Sequence, residues 1–496
     1  MKKYLLLILG VFLFPSCDLD EELFDRKTPE LFFTDEESFR LASGIAYQSL
    51  YGYAATHSLF GIQEVSSDEM AVPARGGDWF ENGHWIRLHQ HEYRPNDQTI
   101  ETSWRFCYGG IATCNEIIEN IEKNYIPDAD QYLAELKTLR ALYYLWLLDL
   151  YGNVPIVTTN EVESPENNTR QEVFSFVEDE VLENQDKLTK EINSESYSRM
   201  TYYVAQAILV NLYLNAEVYT GAPQWQKAIE ACDEIIQSGY FNLATDYFEN
   251  FSRTNALSPE MILAIPYDEI KAQGFNIHMM TLHYASQATY NLQAQPWNGF
   301  CSLQEFYESF DSADARKNSF IVGPQYAKDG TRLEDPGADN QEPDGPPITF
   351  TPELNSIGLN TYRQAGARIG KYEVYEGAGQ DLDNDFPIFR YGEILLDKAE
   401  ALWRLDPANS EALMLVNLFR KRANVPEFTQ LNAENLLAER GRELAFETKR
   451  RTDLIRFGKY GDPWDFKDAS DPCKTLFPIP QSQLEAGSNL KQNPCY

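Results

Sequence analysis

The chain has 496 residues, enough for one large apolar core or two modest ones, and its 43% hydrophobic and 24% charged content is that of a globular protein. Its 76 Asp and Glu against 42 Lys and Arg give a net charge of −34. Such a surface repels phosphate backbones and anionic lipids, which excludes nucleic-acid binding and adsorption to a membrane by charge.

Met1–Cys17 reads as a leader. Lys2 and Lys3 precede an apolar run, Tyr4–Phe14, that rises only about 16 Å as a helix, too short to span a bilayer. Ser16-Cys17 resembles the end of a bacterial lipobox, with Phe14 where Leu is usual. Acylation of Cys17 by several chains, palmitate among them, would anchor the protein stably.

Phe33–Tyr51 and Thr102–Lys123 are predicted helices. Between them, Ser66–Asn96 carries Pro73, Gly76, Gly77 and Gly83, which break regular structure, and it crowds together Arg75, Asp78, Trp79 and Trp85. Sugars offer apolar C–H faces to aromatic rings and hydroxyl pairs to Arg, Asp or Asn, so this mix suits a carbohydrate; buried loop anchors are the alternative. His84, His89 and His91 are close in sequence, but no cysteine or spaced carboxylate pair completes a metal-ligand set, and no metal is expected.

Leu133–Tyr151 is apolar on most sides and stops at Gly152, with Pro155 following. Two helix pairs come next. Ala205–Tyr219 faces Trp225–Ile235, and Phe389–Leu405 faces Ser410–Ala423, with small residues in both seams. Neither pair can bury its apolar face alone. The fold expected is mainly α, a tetratricopeptide-like scaffold of stacked helical hairpins. The segment between the pairs, Tyr240–Pro387, is rich in Gly, Pro, Asn and Asp and is predicted as an irregular, loop-rich lobe. It holds a second aromatic cluster of Tyr284, Tyr290, Trp297 and Phe300, with Asn298 among them. Glu334–Pro347 is acidic and predicts a mobile loop. Asp381, Asp383 and Asp385 alternate as in a calcium loop, but Phe386 stands where Gly is required and no Glu closes it.

Ala433–Phe457 is predicted as one helix running from an Asn432 cap to a Gly458 stop. Arg440, Glu443, Glu447 and Arg451 share a side with Leu436, Leu444 and Leu454, which reads as an ion-paired structural helix; a catalytic cluster and an anion groove are the alternatives. Near the end a Cys473–Cys495 bridge stays open, and the seven cysteines are otherwise too few for a disulfide scaffold. No phosphate-binding loop, HExxH or G-x-S-x-G appears.

Glu439-Arg440, Glu443-Leu444, Glu447, Arg451, Asp453-Leu454, Arg456 and Gly458 match the pattern ER-x2-EL-x2-E-x3-R-x-DL-x-R-x-G. On these residues, on Leu139–Ile156 and on Leu476–Tyr496, the chain resembles the SusD/RagB lipoproteins; Thr448 stands where the family often has Gly, and Cys495 replaces the Gly of an NPGY ending. The resemblance implies a leader over residues 1–17, an N-terminal helical region over 18–240 and a C-terminal region over 241–496. It implies a lipid-anchored protein of the outer membrane, with the acidic run after Cys17 as a surface-export signal. Such a protein captures an oligosaccharide, or a peptide as in the RagB branch, and delivers it as a hinged lid to a SusC-like TonB-dependent transporter, with no cofactor and no catalysis. Trp79, Trp85, Tyr290 and Trp297 are the candidate stacking rings, and Arg75, Asp78 and Asn298 their polar partners. A surface glycosidase and a protein–protein adaptor are the remaining alternatives, since the spacing of two catalytic carboxylates is not visible in sequence.

Overall fold

The computed structural model describes residues 36–123, 129–161, 164–486 and 489–496. The leader and Cys17 lie outside the described residues.

Helices dominate. α1 (Glu36–Gln48), α2 (Gln98–Lys123), α3 (Asp130–Leu150) and α4 (Arg170–Asn184) are followed by α5 (Tyr202–Leu214) and α6 (Trp225–Gln237). After the lobe come α7 (Tyr391–Leu405), α8 (Ser410–Arg422), α9 (Ala433–Leu444) and α10 (Arg450–Arg456). From α2 to α8 each helix packs on the next in a row of antiparallel hairpins. The seam between α2 and α3 needs Gly110, because a Cβ there would sit 2.2 Å from the Tyr143 ring. α4 starts on a capping box in which Thr169 and Glu172 satisfy each other's backbone N–H. No described helix is long and apolar enough to cross a membrane.

α6 and α7 pack directly on each other although residues 238–390 lie between them. The excursion is closed at its base by two antiparallel strands, β1 (Met261–Ile265) and β2 (Phe386–Arg390), with Met261 opposite Arg390 and Ile265 opposite Phe386. Phe389, expected to begin a helix, is therefore in a strand, and α7 begins at Tyr391. The acidic run Glu334–Pro347 is not loose. Glu334 bridges Pro347, and the Asp335 carboxylate accepts hydrogen bonds from His283 and Arg363.

The predicted C-terminal helix is broken. Asn432 caps α9 as expected, but the chain leaves the helix at Ala445, with φ of 61° at Phe446 and 62° at Thr448. Tertiary partners take the freed backbone groups: Lys371 donates to Ala445 O, Tyr372 to Phe446 O, and the carboxylates of Glu69 and Glu64 accept from the amides of Phe446 and Thr448. The left-handed conformation at Thr448 is one that glycine adopts without steric cost.

Charged side chains flank the break in a network that is buried apart from the half-buried Arg422. Glu443 accepts from Arg316 of the lobe at 3.1 Å and from Arg390 of β2 at 2.8 Å, and also pairs with Arg422 of α8. Glu447 pairs with Arg390 and Lys371 at 2.6 Å each. Arg440 holds Asp397 and Asp453 at 2.7 and 2.8 Å, and Arg451 holds Asp149 of α3 at 2.6 Å. The network joins lobe, strands and scaffold into one frame. Cys473 and Cys495 form a disulfide, and Cys107, Cys114, Cys232 and Cys301 are free and buried.

Candidate functional site

The two aromatic segments singled out in the sequence meet. Trp79 Nε1 donates to Trp297 O at 2.7 Å, and the Trp79 ring lies over Gly299, where a Cβ would come within 2.4 Å of it. Tyr284 OH donates to Asp78 Oδ2. Beside this junction a cleft of about 780 Å³ opens, lined by Asp78, His283, Tyr284, Gln287, Asn291, Gln295, Glu334, Asp335 and Arg363. Its volume is in the range of small-ligand sites.

The polar wall is preorganised. His283 Nδ1 accepts from Ala285 N, so Nε2 carries the proton and donates to Asp335 Oδ2 at 3.0 Å. Arg363 donates to both oxygens of the same carboxylate, and its guanidinium lies 4.8 Å from the Tyr284 ring centroid. Burial alone would raise the Asp335 carboxyl, but the bonds from His283 and Arg363 hold it well below the usual carboxylate range. Burial, reinforced by the bond to Asp78, pushes the Tyr284 phenol up to about 12. The cleft therefore presents an aromatic face edged by a fixed cation and by fixed acceptors, which is the pattern that hydroxyl pairs and C–H faces require.

Three expected contact residues are instead supports. Trp85, Arg75 and Asn298 are fully buried. Trp85 packs edge-on against Phe300 and stacks on His57. Arg75 donates to Tyr362 O and to Ala365 O at 2.8 Å, and Asn298 Nδ2 donates to Arg363 O at 3.0 Å. These bonds fix the turn that carries Arg363 into the cleft. Trp79, Tyr290 and Trp297 are half-buried against the core and do not line the cleft; of the seven residues named from sequence, Asp78 alone does. His283, Asp335 and Arg363 were missed. His283 sits beside Tyr284 in the aromatic cluster, a usable signal; Arg363 has none, being placed by residues distant in the chain.

The histidines considered for metal each bond a protein group, His84 through Nε2 to Thr99 Oγ1. His89 bonds Asp465 O, while His91 bonds Ser66 O and Ser470 Oγ. Asp381 accepts from Gly274 N, Asp383 pairs with Arg253, and Asp385 accepts from Tyr197.

Comparison with known proteins gives one consistent result. Residues 53–214 match the model described as starch-binding, associating with the outer membrane, and residues 355–496 match that of the SusD family. The starch-binding protein SusD of Bacteroides thetaiotaomicron is 26% identical, over 88% of this chain and 85% of that one. SusD-like protein P2 of Formosa agariphila is 25% identical over 99% of each chain. Among solved structures, surface glycan-binding protein A from Bacteroides thetaiotaomicron is similar in fold, with a TM-score of 0.76 and 24% identity over 93% of this chain and 100% of that one. That protein has also been solved in complex with laminarihexaose.

Proposed function

This chain belongs to the SusD/RagB family, and we propose from that premise that it captures oligosaccharides at the cell surface, tethered to the outer membrane through Cys17, and passes them to a TonB-dependent transporter. The observation that carries the reading is the cleft in which Tyr284 is bracketed by Asp78 and Arg363. A sugar ring lies on the Tyr284 face while Arg363 donates to a hydroxyl pair and Asp78 or Glu334 accepts. Trp79 and Trp297 extend the aromatic surface beyond the cleft, and Arg75, Asn298 and Trp85 keep its wall in place. The wall needs no cofactor for this. Starch-binding protein SusD and surface glycan-binding protein A are named as binding proteins, which supports capture without catalysis.

The test is affinity electrophoresis of the soluble part of the chain through a panel of polysaccharides, starch and laminarin included, with peptide pools as the comparison. Retention by at least one glycan, lost in Tyr284→Ala, is expected. Retention by peptides alone overturns the saccharide reading, and release of new reducing ends during incubation overturns the binding-only reading.

A further inference from the structure

A second groove, of about 540 Å³, lies between the turn after His89 and the segment from Trp464 to Lys474. Nothing in the cleft described above uses it. Its floor rests on the small apolar cluster of Ala71, Cys301, Leu303, Leu354, Ile357 and Ala365. Trp464 and Phe466 pack on that cluster, as does Tyr362, the neighbour of Arg363. The two sites thus share one apolar support.

The groove is built rather than incidental. Phe466 is held with φ of 64°, an unfavourable conformation for an aromatic residue, by side chains from the facing turn. Gln90 Nε2 donates to Phe466 O at 3.1 Å, His89 Nε2 donates to Asp465 O at 2.8 Å, and Ser470 Oγ meets His91 Nδ1 at 2.9 Å. The half-buried Phe466 and Trp464 rings line the opening. Trp464 Nε1 is closed off from solvent and finds no acceptor among the described residues.

Its lining carries both donors and acceptors. Lys467 is buried, donates to Asp462 O and Asp468 O, 2.8 and 3.1 Å away, and lies over one face of the Trp464 ring, 3.9 Å from its centroid. The Lys474 ammonium sits 4.1 Å from the Tyr496 ring centroid and makes no hydrogen bond or ion pair among the described residues. Opposite them the exposed carboxylates of Glu92 and Asp468 are acceptors. An anionic ligand would meet those two as like charges. A neutral polyhydroxylated ligand can use donors, acceptors and ring faces together.

We propose that this groove is a second saccharide-binding site, for neutral glycan, which engages a further stretch of a polymer whose first stretch occupies the cleft. The proposal rests on the glycan-capture reading. Two linked contacts raise affinity for a long chain and leave that for a short one nearly unchanged, by about tenfold or more when the spacing fits. The experiment compares wild type, Phe466→Ala, Asp468→Ala and Tyr284→Ala on the retained polymer, laminarin or starch, and on its hexasaccharide. Hydrogen exchange of residues 464–471 in the wild type is followed with saturating polymer. Expected are about tenfold weaker polymer binding in both groove variants, hexasaccharide affinity within about twofold of wild type, and slowed exchange in that segment. Polymer binding equal to wild type in both groove variants, with unchanged exchange, overturns the second site and leaves the cleft intact. Polymer binding unaffected by Tyr284→Ala but lost in the groove variants overturns the cleft reading instead. A wild type retained by no polymer overturns both.

Discussion

Replacing Glu443 by Gln tests the frame that holds the cleft. Glu443 is completely buried and faces Arg316, Arg390 and Arg422. Burial alone would raise its carboxyl; the three guanidiniums more than offset that and bring it down to about 2 from the ordinary 4.5. That difference corresponds to about 3 kcal/mol, in line with roughly 3–5 kcal/mol for removing one partner of a buried pair. Glu260, Glu447, Asp314 and Glu439 still contact the same arginines, which favours the lower end. A depressed carboxyl stabilises the fold above its unfolded value near 4.5, and that stability is lost as pH falls through the folded value near 2. Urea unfolding of wild type and variant should therefore differ by about 3 kcal/mol at pH 7. The gap should shrink steadily between pH 4.5 and 2, since Gln then mimics the protonated acid. A gap under about 0.5 kcal/mol at pH 7, or one indifferent to pH, would refute the assignment of Glu443 as an ionised hub.

Tyr284→Ala should weaken glycan binding about ten- to hundredfold by calorimetry with little change in thermal stability, and Arg363→Ala should weaken it as much and also lower the melting temperature, since it removes one partner of the buried Asp335 carboxylate. Asn298→Ala should lower affinity and melting temperature together, because it releases the turn under Arg363 and takes one acceptor from the buried Arg368. Burial pushes the Glu64 carboxyl up to about 7. This raised group favours the fold at low pH and loses that contribution as pH rises from 4.5 through 7, so thermal melts should show wild type losing stability across that range and Glu64→Gln losing less. Joining Cys473 to Cys495 closes a loop with a sequence separation of 22, and serine at both positions should cost about 3 kcal/mol in urea unfolding.

Helix positions were legible because apolar periodicity and caps act locally. Asn432 and Gly152 mark ends that the structure keeps, the latter with φ of 71°. The break at Ala445 was not legible, since the one helix-disfavouring glycine of residues 433–457, Gly441, lies inside α9 and not at the break; Glu64, Glu69, Lys371 and Tyr372 impose it from elsewhere. Phe389 was drawn into a helix because its apolar neighbours fit either period, and pairing with β1 decides for strand. In the cleft, residue type drew attention to the two segments that meet, but burial separates support from contact. Trp85 and Arg75 look in sequence like surface recognition residues, and only the packing of Phe300, Tyr362 and Ala365 around them shows otherwise. Arg363 enters the site through hydrogen bonds across more than sixty residues of chain, which no local pattern records.

The most direct measurement is a crystal structure of the protein soaked with the hexasaccharide of whichever polymer retains it. The account predicts sugar density against the Tyr284 ring, with hydroxyls within hydrogen-bond distance of Arg363 and of Asp78 or Glu334. Well-occupied sugar elsewhere, with this cleft empty, would contradict it.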